Sequence, residues 1–189
     1  MIPDTNSNKK SRVHPAVYAT VYTAMFAALI AVCSILSIPI GSVPITLQTF
    51  AVCLTAAMLG WKRGTLSVLI YILLGTVGLP VFAGLKGGLG VLIGPTGGYI
   101  IGFLPAAVLI GFIAEKTGRK VLPLALGMMA GVLICYAVGT VWFMAVTGRG
   151  LGEALALCIV PFLIPDALKI AAAMILSNRL YKIPWFTKL

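Results

Sequence analysis

Residues 154–181 read ALALCIVPFLIPDALKIAAAMILSNRLY, an apolar run that carries two ionisable side chains, Asp166 and Lys169, in its interior. A run of this length is long enough for a helix that spans a membrane. An ionisable side chain inside such a helix costs about 3 kcal/mol or more, so it usually has a function. Because residues three apart lie on one face of a helix, the pair presents an acceptor and a donor side by side. The run therefore predicts a recognition element for a small, polar, buried ligand.

Two prolines interrupt the helical pattern of this run, and Pro165 directly precedes Asp166. Proline suits the first position of a helix, and the helix dipole favours a carboxylate in the first turn. We therefore predict a broken sixth helix whose second half starts at about Pro165. Transporters place their substrates at such broken helices near the middle of the bilayer. The alternative is an internal ion pair between Asp166 and Lys169 that merely neutralises itself.

The composition is that of a membrane protein with several spans. The 189 residues have a mean hydropathy of +1.09 and only 10% are charged, which excludes a soluble globular domain. The second and third apolar runs are separated only by Trp61, Lys62 and Arg63, which predicts a tight helical hairpin. We expect a cytoplasmic tail over residues 1–15 and a single six-helix transmembrane domain over residues 16–189. The predicted helices cover residues 16–38, 47–60, 65–79, 98–114, 121–146 and 154–181.

The distribution of basic residues predicts the orientation of the chain. Of fourteen Lys and Arg residues, eleven lie in the N-terminal tail, the 2–3 and 4–5 turns and the C-terminal end. The opposite side has two, Lys86 and Arg149, and Lys169 lies in the predicted membrane. The positive-inside rule then places both termini in the cytoplasm. The net charge of +10 follows from this topology, so we expect a lipid bilayer and no nucleic acid as partner.

The outer connections are long, rich in Gly and Pro, and nearly uncharged. Residues 38–48 read IPIGSVPITLQ, and residues 78–98 read GLPVFAGLKGGLGVLIGPTGG. Because apolar loops are poorly solvated in water, we expect them to fold back as lids over a cavity. The turn from Gly94 to Gly98 enters the fourth helix, where free backbone N–H groups can bind an anionic or carbonyl end of a ligand. Close helix packing is the alternative role for these glycines.

Two further observations limit the function. There is no Walker A, HExxH or GxSxG motif, and the four cysteines stand singly without metal-ligand spacing, so no enzyme, metal or cofactor is expected. The first helix carries two overlapping pairs of small residues, Ala24 with Ala28 and Ala27 with Ala31. Such spacing forms a smooth face for another helix, although the same face can serve an internal contact.

Several stretches together resemble the BioY family, the biotin-specific substrate-binding (S) components of energy-coupling factor (ECF) transporters. The resemblance covers nearly the whole chain, and one departure from the family pattern is Pro165, where a glycine is common. The stretches are PITLQT at 44–49, GLPVFAG at 78–84 with Gly87 and Gly88, GPTGGYIIGF at 94–103, and Pro161-Phe162 with Asp166 and Lys169.

This resemblance implies an all-α, six-helix S-component fold whose outer loops cap a ligand cavity, in a prokaryotic-type cell membrane. It implies that biotin binds near the outer face, and that the alanine motif docks on a shared ECF transmembrane subunit working with two ATPases. Asp166 would accept from a ureido N–H and Lys169 would donate to the ureido oxygen. The carboxylate would point outward, towards backbone N–H groups near Gly94 to Gly98 and towards Lys86. The full predicted biotin-binding set is Asp166, Lys169, Gln48, Lys86, Gly94, Thr96, Gly97 and Tyr99.

Three alternatives stay open at the level of sequence. The first is an S component for another small polar vitamin or heterocycle. The second is a membrane-embedded enzyme, which would need a catalytic pair or a metal cluster. The third is a membrane scaffold that binds no ligand, which would leave Asp166 and Lys169 unexplained.

Overall fold

A computed structural model describes residues 15–39 and 43–183, and these are folded almost entirely as helices. The predicted tail over residues 1–15 lies, except for Pro15, outside the described residues. The helices are α1 Pro15–Ile35, α2 Gln48–Thr76, α3 Leu89–Ile93, α4 Gly97–Lys116, α5 Val121–Thr147, α6 Leu151–Cys158 and α7 Leu163–Leu180, with a 3-10 turn at Val160–Phe162. Five segments are long and apolar enough to cross a membrane: Val17–Ile35, Gln48–Thr76, Gly97–Lys116, Val121–Thr147 and Leu151–Leu180.

The predicted helical hairpin is confirmed within α2, which is broken at Gly60. The backbone of Gly60 has φ +77° and ψ −176°, a conformation almost confined to glycine. Residues 48 and 71 would be about 35 Å apart in a straight helix, yet the Gln48 amide donates to the Tyr71 hydroxyl at 2.5 Å. A Cβ atom on Gly64 would lie 3.0 Å from the Cα of Ala56. The two arms, 48–59 and 61–76, therefore run back along each other.

Two charged side chains from the end of α4 and the turn after it satisfy the helix ends at this break. Glu115 accepts a hydrogen bond from the backbone N–H of Trp61 at 3.2 Å, at the start of the second arm. Arg119 donates to the carbonyls of Ala57 and Met58 at 2.9 and 3.1 Å, at the end of the first arm. These positions also suit the helix dipoles, since the carboxylate lies at an N-terminus and the guanidinium at a C-terminus.

The predicted break in the last apolar run is also confirmed. Helix α6 ends at Cys158, and α7 begins at Leu163, two residues before the predicted start at Pro165. Pro165 lies in the first turn of α7, where the missing N–H leaves no intrahelical hydrogen bond unmade. Asp166 keeps its predicted place in that first turn.

The outer connections contain regular structure that the sequence did not predict. Helix α1 ends at Ile35, earlier than the expected residue 38, and strand β1 (Ser37–Ile38) pairs antiparallel with β2 (Ile45–Thr46). The expected all-helical fold is confirmed, with this short strand pair as an addition to it, and α3 was missed in the second connection. Elements this short satisfy backbone polar groups close to apolar surroundings, but they are too short for a periodic pattern.

The core lies between α2, α4 and α5, with α1 and α7 packed against α2. Its most buried side chains include Met58 of α2, Ile110 of α4 and Met128 of α5. Many large apolar side chains point away from this core; Leu122, Ile164 and Val77 are among the most exposed. Such an apolar exterior suits contact with lipid.

Candidate ligand-binding site

A cavity of about 520 Å³ lies where the two outer connections meet α2, α4, α5 and α7. This volume is within the range of small-molecule sites, which are mostly apolar with a few converging polar groups. Six of the eight predicted site residues line it, namely Asp166, Lys169, Gln48, Lys86, Thr96 and Tyr99. The other lining residues are Ser37, Pro39, Val43, Pro44, Thr46, Thr49, Phe82, Ala83, Gly84, Val91, Ile100, Phe103, Val132, Cys135, Tyr136, Cys158 and Phe162.

Asp166 and Lys169 touch each other at the wall of this cavity. The Lys169 ammonium group donates to Oδ1 of Asp166 at 2.6 Å. Lys169 is 8% exposed and Asp166 is 3% exposed. The hydroxyl of Tyr136 donates to Oδ2 at 2.5 Å. Each carboxylate oxygen keeps a lone pair, and the ammonium keeps further N–H donors. The site therefore retains both an acceptor and a donor for a ligand.

Tyr136 was not among the predicted site residues, although it holds the key carboxylate. It lies on α5, thirty positions before Asp166, so no local spacing links the two residues. The only signal in the sequence is a tyrosine inside an apolar helix, which more often packs or joins helices than contacts a ligand.

Gln48 is fixed by a buried hydrogen-bond network at the start of α2. Its amide group donates to Tyr71 at 2.5 Å and its side-chain oxygen accepts from Thr46 at 3.1 Å. Tyr71 in turn donates to the hydroxyl of Ser34 at 3.0 Å. The network ties the first outer connection to α1 and to the second arm of α2, so it fixes one wall of the cavity.

Gly94 and Gly97 are not among the lining residues. The carbonyl of Gly94 accepts a hydrogen bond from the indole of Trp142 at 3.0 Å. A Cβ atom on Gly97 would lie 1.7 Å from the carbonyl oxygen of Leu92, so this glycine allows α3 and α4 to approach closely. A ligand contact through either glycine stays a prediction.

The structure distinguishes the two alanine pairs of α1. Ala24 and Ala28 are exposed, whereas Ala27 is fully buried and Ala31 is half-buried against the core. The second pair therefore packs inside the protein. The first pair is on the outer surface of the helix.

Comparison with known proteins agrees with this architecture. The BioY family model matches residues 6–184 of the chain. The chain belongs to the BioY family. It is 46% identical over 159 residues to the biotin transporter BioY of Thermotoga maritima, covering 84% of this chain and 93% of that one. It is 43% identical over 157 residues to a probable biotin transporter BioY of Pyrococcus horikoshii, covering 83% of this chain and 92% of the relative.

A solved structure has the same fold. It is a crystal structure at 2.1 Å of the S-component for biotin from an ECF-type ABC transporter, with a TM-score of 0.85 and 32% identity. The alignment covers 91% of this chain and 95% of that chain. This BioY protein is therefore a multi-pass protein of the cell membrane with an S-component fold. Its relatives are named as transporters, which argues against an enzyme.

Proposed function

We propose that this BioY protein is the biotin-binding S component of an ECF importer, which captures biotin at the outer face for ATP-driven uptake. The observation that carries the proposal is the buried Asp166–Lys169 pair at the wall of a cavity of about 520 Å³. A pair that only neutralised itself would need no cavity beside it. Family membership supplies a ligand whose polarity matches the pair.

Biotin carries a ureido ring with two N–H donors and one carbonyl acceptor, on an apolar bicycle with a carboxylate tail. Asp166 accepts from a ureido N–H, while Lys169 donates to the ureido oxygen. Tyr136 holds the carboxylate of Asp166 in place by the hydrogen bond at 2.5 Å. A site built to satisfy a buried donor and acceptor rejects analogues that lack them by roughly 10⁴-fold. Apolar side chains such as Phe103 and Val132 line the rest of the cavity and suit the bicycle.

The tail of biotin points outward in this arrangement, towards the second outer connection. Lys86 lines the cavity and is exposed. Among residues 15–39 and 43–183, its ammonium group has no ion-pair partner. We assign Lys86 as the residue that binds the carboxylate of biotin, because an ammonium group and a carboxylate form a charge-assisted hydrogen bond.

The proposed topology has six spans and cytoplasmic termini, with the outer connections capping the cavity. The break at Gly60 supports it, since it turns the long α2 segment into two arms. The partners in this proposal are the shared ECF transmembrane subunit and two ATPases. The S component itself needs no cofactor, because ATP is hydrolysed by the partners.

Binding of radiolabelled biotin to the purified protein in detergent tests the proposal. We expect saturable binding with about one biotin per chain, displaced by unlabelled biotin and released chemically unchanged. If the folded protein bound no biotin, the proposal would be wrong. Displacement by another vitamin but not by biotin would assign the chain to a different ligand, and a changed product would indicate an enzyme.

Docking on the shared subunit gives a second prediction. Ala24→Trp combined with Ala28→Trp is expected to abolish co-purification with the ECF transmembrane subunit, because two large rings fill the smooth exposed face of α1. Biotin binding should be retained, since neither residue lines the cavity. Leu133→Trp, at an exposed position of α5, is the matched control and should still assemble. Normal assembly of the double variant would exclude this face as the docking surface.

A further inference from the structure

The connection between α2 and α3, residues 77–88, is built around one aromatic side chain. Phe82 is fully buried. Its ring fills a notch at Gly75, where a Cβ atom would lie 2.1 Å from Cζ of the ring. The ring also meets Tyr71 edge to face, with centroids 5.6 Å apart and planes at 84°. Only glycine at position 75 leaves room for this arrangement.

Phe82 is paired through its backbone with Lys86. The N–H of Phe82 donates to the carbonyl of Lys86 at 2.9 Å, and the reverse bond is 3.3 Å. Between them, Gly84 and Leu85 have φ of +71° and +57°. A left-handed conformation is unfavourable for leucine, and the Leu85 side chain is 61% exposed, so burial offsets little of that cost. Such a backbone persists only where the surrounding structure imposes it.

The end of the turn is fixed as well. A Cβ atom on Gly87 would lie 2.4 Å from the carbonyl oxygen of Leu79, so the chain crosses itself closely here. The N–H of Gly88 donates to the carbonyl of Gly75 at 2.7 Å. Gly75 thus contacts both the ring of Phe82 and, through its carbonyl, the backbone that follows Lys86. The backbone of Lys86 is held from both sides.

We propose that Phe82 is a positioning residue for Lys86 and thereby makes the site selective for biotin with a free carboxylate over amide-linked biotin. A lysine side chain is flexible, and ordering it costs conformational entropy. Fixing its backbone at the cavity wall lowers that cost when the ammonium group meets an anionic tail. The inference rests on the proposed function and on the assignment of Lys86 to the carboxylate.

The test compares the affinities of the full-length purified protein for biotin and for biotinamide, which keeps the ureido ring but has no charge on its tail. We expect the wild type to prefer biotin by about tenfold, as for a charge-assisted hydrogen bond. Lys86→Met and Phe82→Leu should each remove most of this preference, and combining them should remove little more. Phe143→Leu makes the same chemical change at a fully buried position outside the cavity lining; it should keep the preference.

A merely structural role for Phe82 would lower both affinities equally and leave the preference intact, which would overturn the inference. An unchanged preference in Lys86→Met would also overturn it, while biotin binding itself would uphold the proposed function. If the wild type bound neither ligand, the proposed function would be wrong, and this inference, which rests on it, would be wrong too. Gly87→Ala decides the matter if Phe82→Leu does not fold. Its Cβ would lie 2.4 Å from the carbonyl oxygen of Leu79, so it displaces the backbone next to Lys86 and leaves the ring of Phe82 intact. A fall in the preference supports the inference, and no change refutes it.

Discussion

Asp166→Asn is expected to weaken biotin binding by more than tenfold. The substitution keeps the shape of the side chain but removes the charge that makes it a strong acceptor for a ureido N–H. In the wild type, the Lys169 ammonium group lies 2.6 Å from a carboxylate oxygen of Asp166. In the variant it stays buried without its counter-ion. Removing one member of a buried pair costs about 3–5 kcal/mol, so a lower free energy of unfolding should accompany the loss of affinity.

Lys169→Met is expected to weaken binding by more than tenfold as well, for the complementary reason. Methionine approximates the volume of the lysine stem but has no donor for the ureido oxygen. Among the residues that the structure describes, Tyr136 would then be the remaining hydrogen-bond donor to Asp166. Equilibrium binding of radiolabelled biotin to each purified variant measures the effect, and thermal denaturation in the same detergent gives the folded fraction needed to correct it.

The exposed pair Arg149–Glu153 supplies the matched control, because it also joins a carboxylate to a cation a few positions away in the chain. Glu153→Gln should leave biotin affinity and stability nearly unchanged, since exposed pairs contribute about 0–1 kcal/mol. Desthiobiotin keeps the ureido ring and loses the sulfur, so it should still compete in the wild type. If Asp166→Asn and Lys169→Met both bound biotin as the wild type does, the ureido assignment would be wrong.

The features that could be predicted from the sequence are those that depend on local patterns of residues. The apolar runs gave the positions of the long helices to within a few residues, because span length is set by the bilayer. The short polar gap after Gly60 gave the hairpin, and Pro165 beside Asp166 gave the break before α7. Six of the eight predicted site residues then met at one cavity. Four of them lie in the long helices, where polar groups tend to face the interior, and Lys86 and Thr96 lie in the second outer connection.

The features that sequence missed depend on contacts between distant parts of the chain. Tyr136 reaches Asp166 across thirty positions, and Arg119 reaches the carbonyl of Ala57 across sixty-two. Neither contact has a spacing rule. The two alanine pairs of α1 satisfy the same pattern, and only the packing of α1 on α2 determines which pair is covered. The strands of the first outer connection are two residues long, below the length at which alternation is visible.

Gly60→Ala is expected to be the most destabilising single substitution in the hairpin, lowering the free energy of unfolding by about 3 kcal/mol or more. An alanine at φ +77° and ψ −176° occupies a region that costs about 1–3 kcal/mol for any residue with a Cβ. That Cβ would also lie 1.9 Å from Oε1 of Glu115. Moving Glu115 away relieves the clash but leaves the N–H of Trp61 without its acceptor, which adds a further cost.

Gly88→Ala isolates the backbone part of this effect. Gly88 has φ +93° and ψ +162°, in the same glycine-favouring region as Gly60, and its Cβ would meet no described atom within 4 Å, so only the backbone conformation is penalised. Denaturation in detergent should therefore separate the variants by about 2 kcal/mol, the cost of the clash together with the lost acceptor. The rate of cleavage by trypsin provides an independent measurement, because an opened hairpin exposes the peptide bonds after Lys62 and Arg63. Equal losses of stability in the two variants would mean that the close contact of Glu115 with Gly60 does not hold the two arms together.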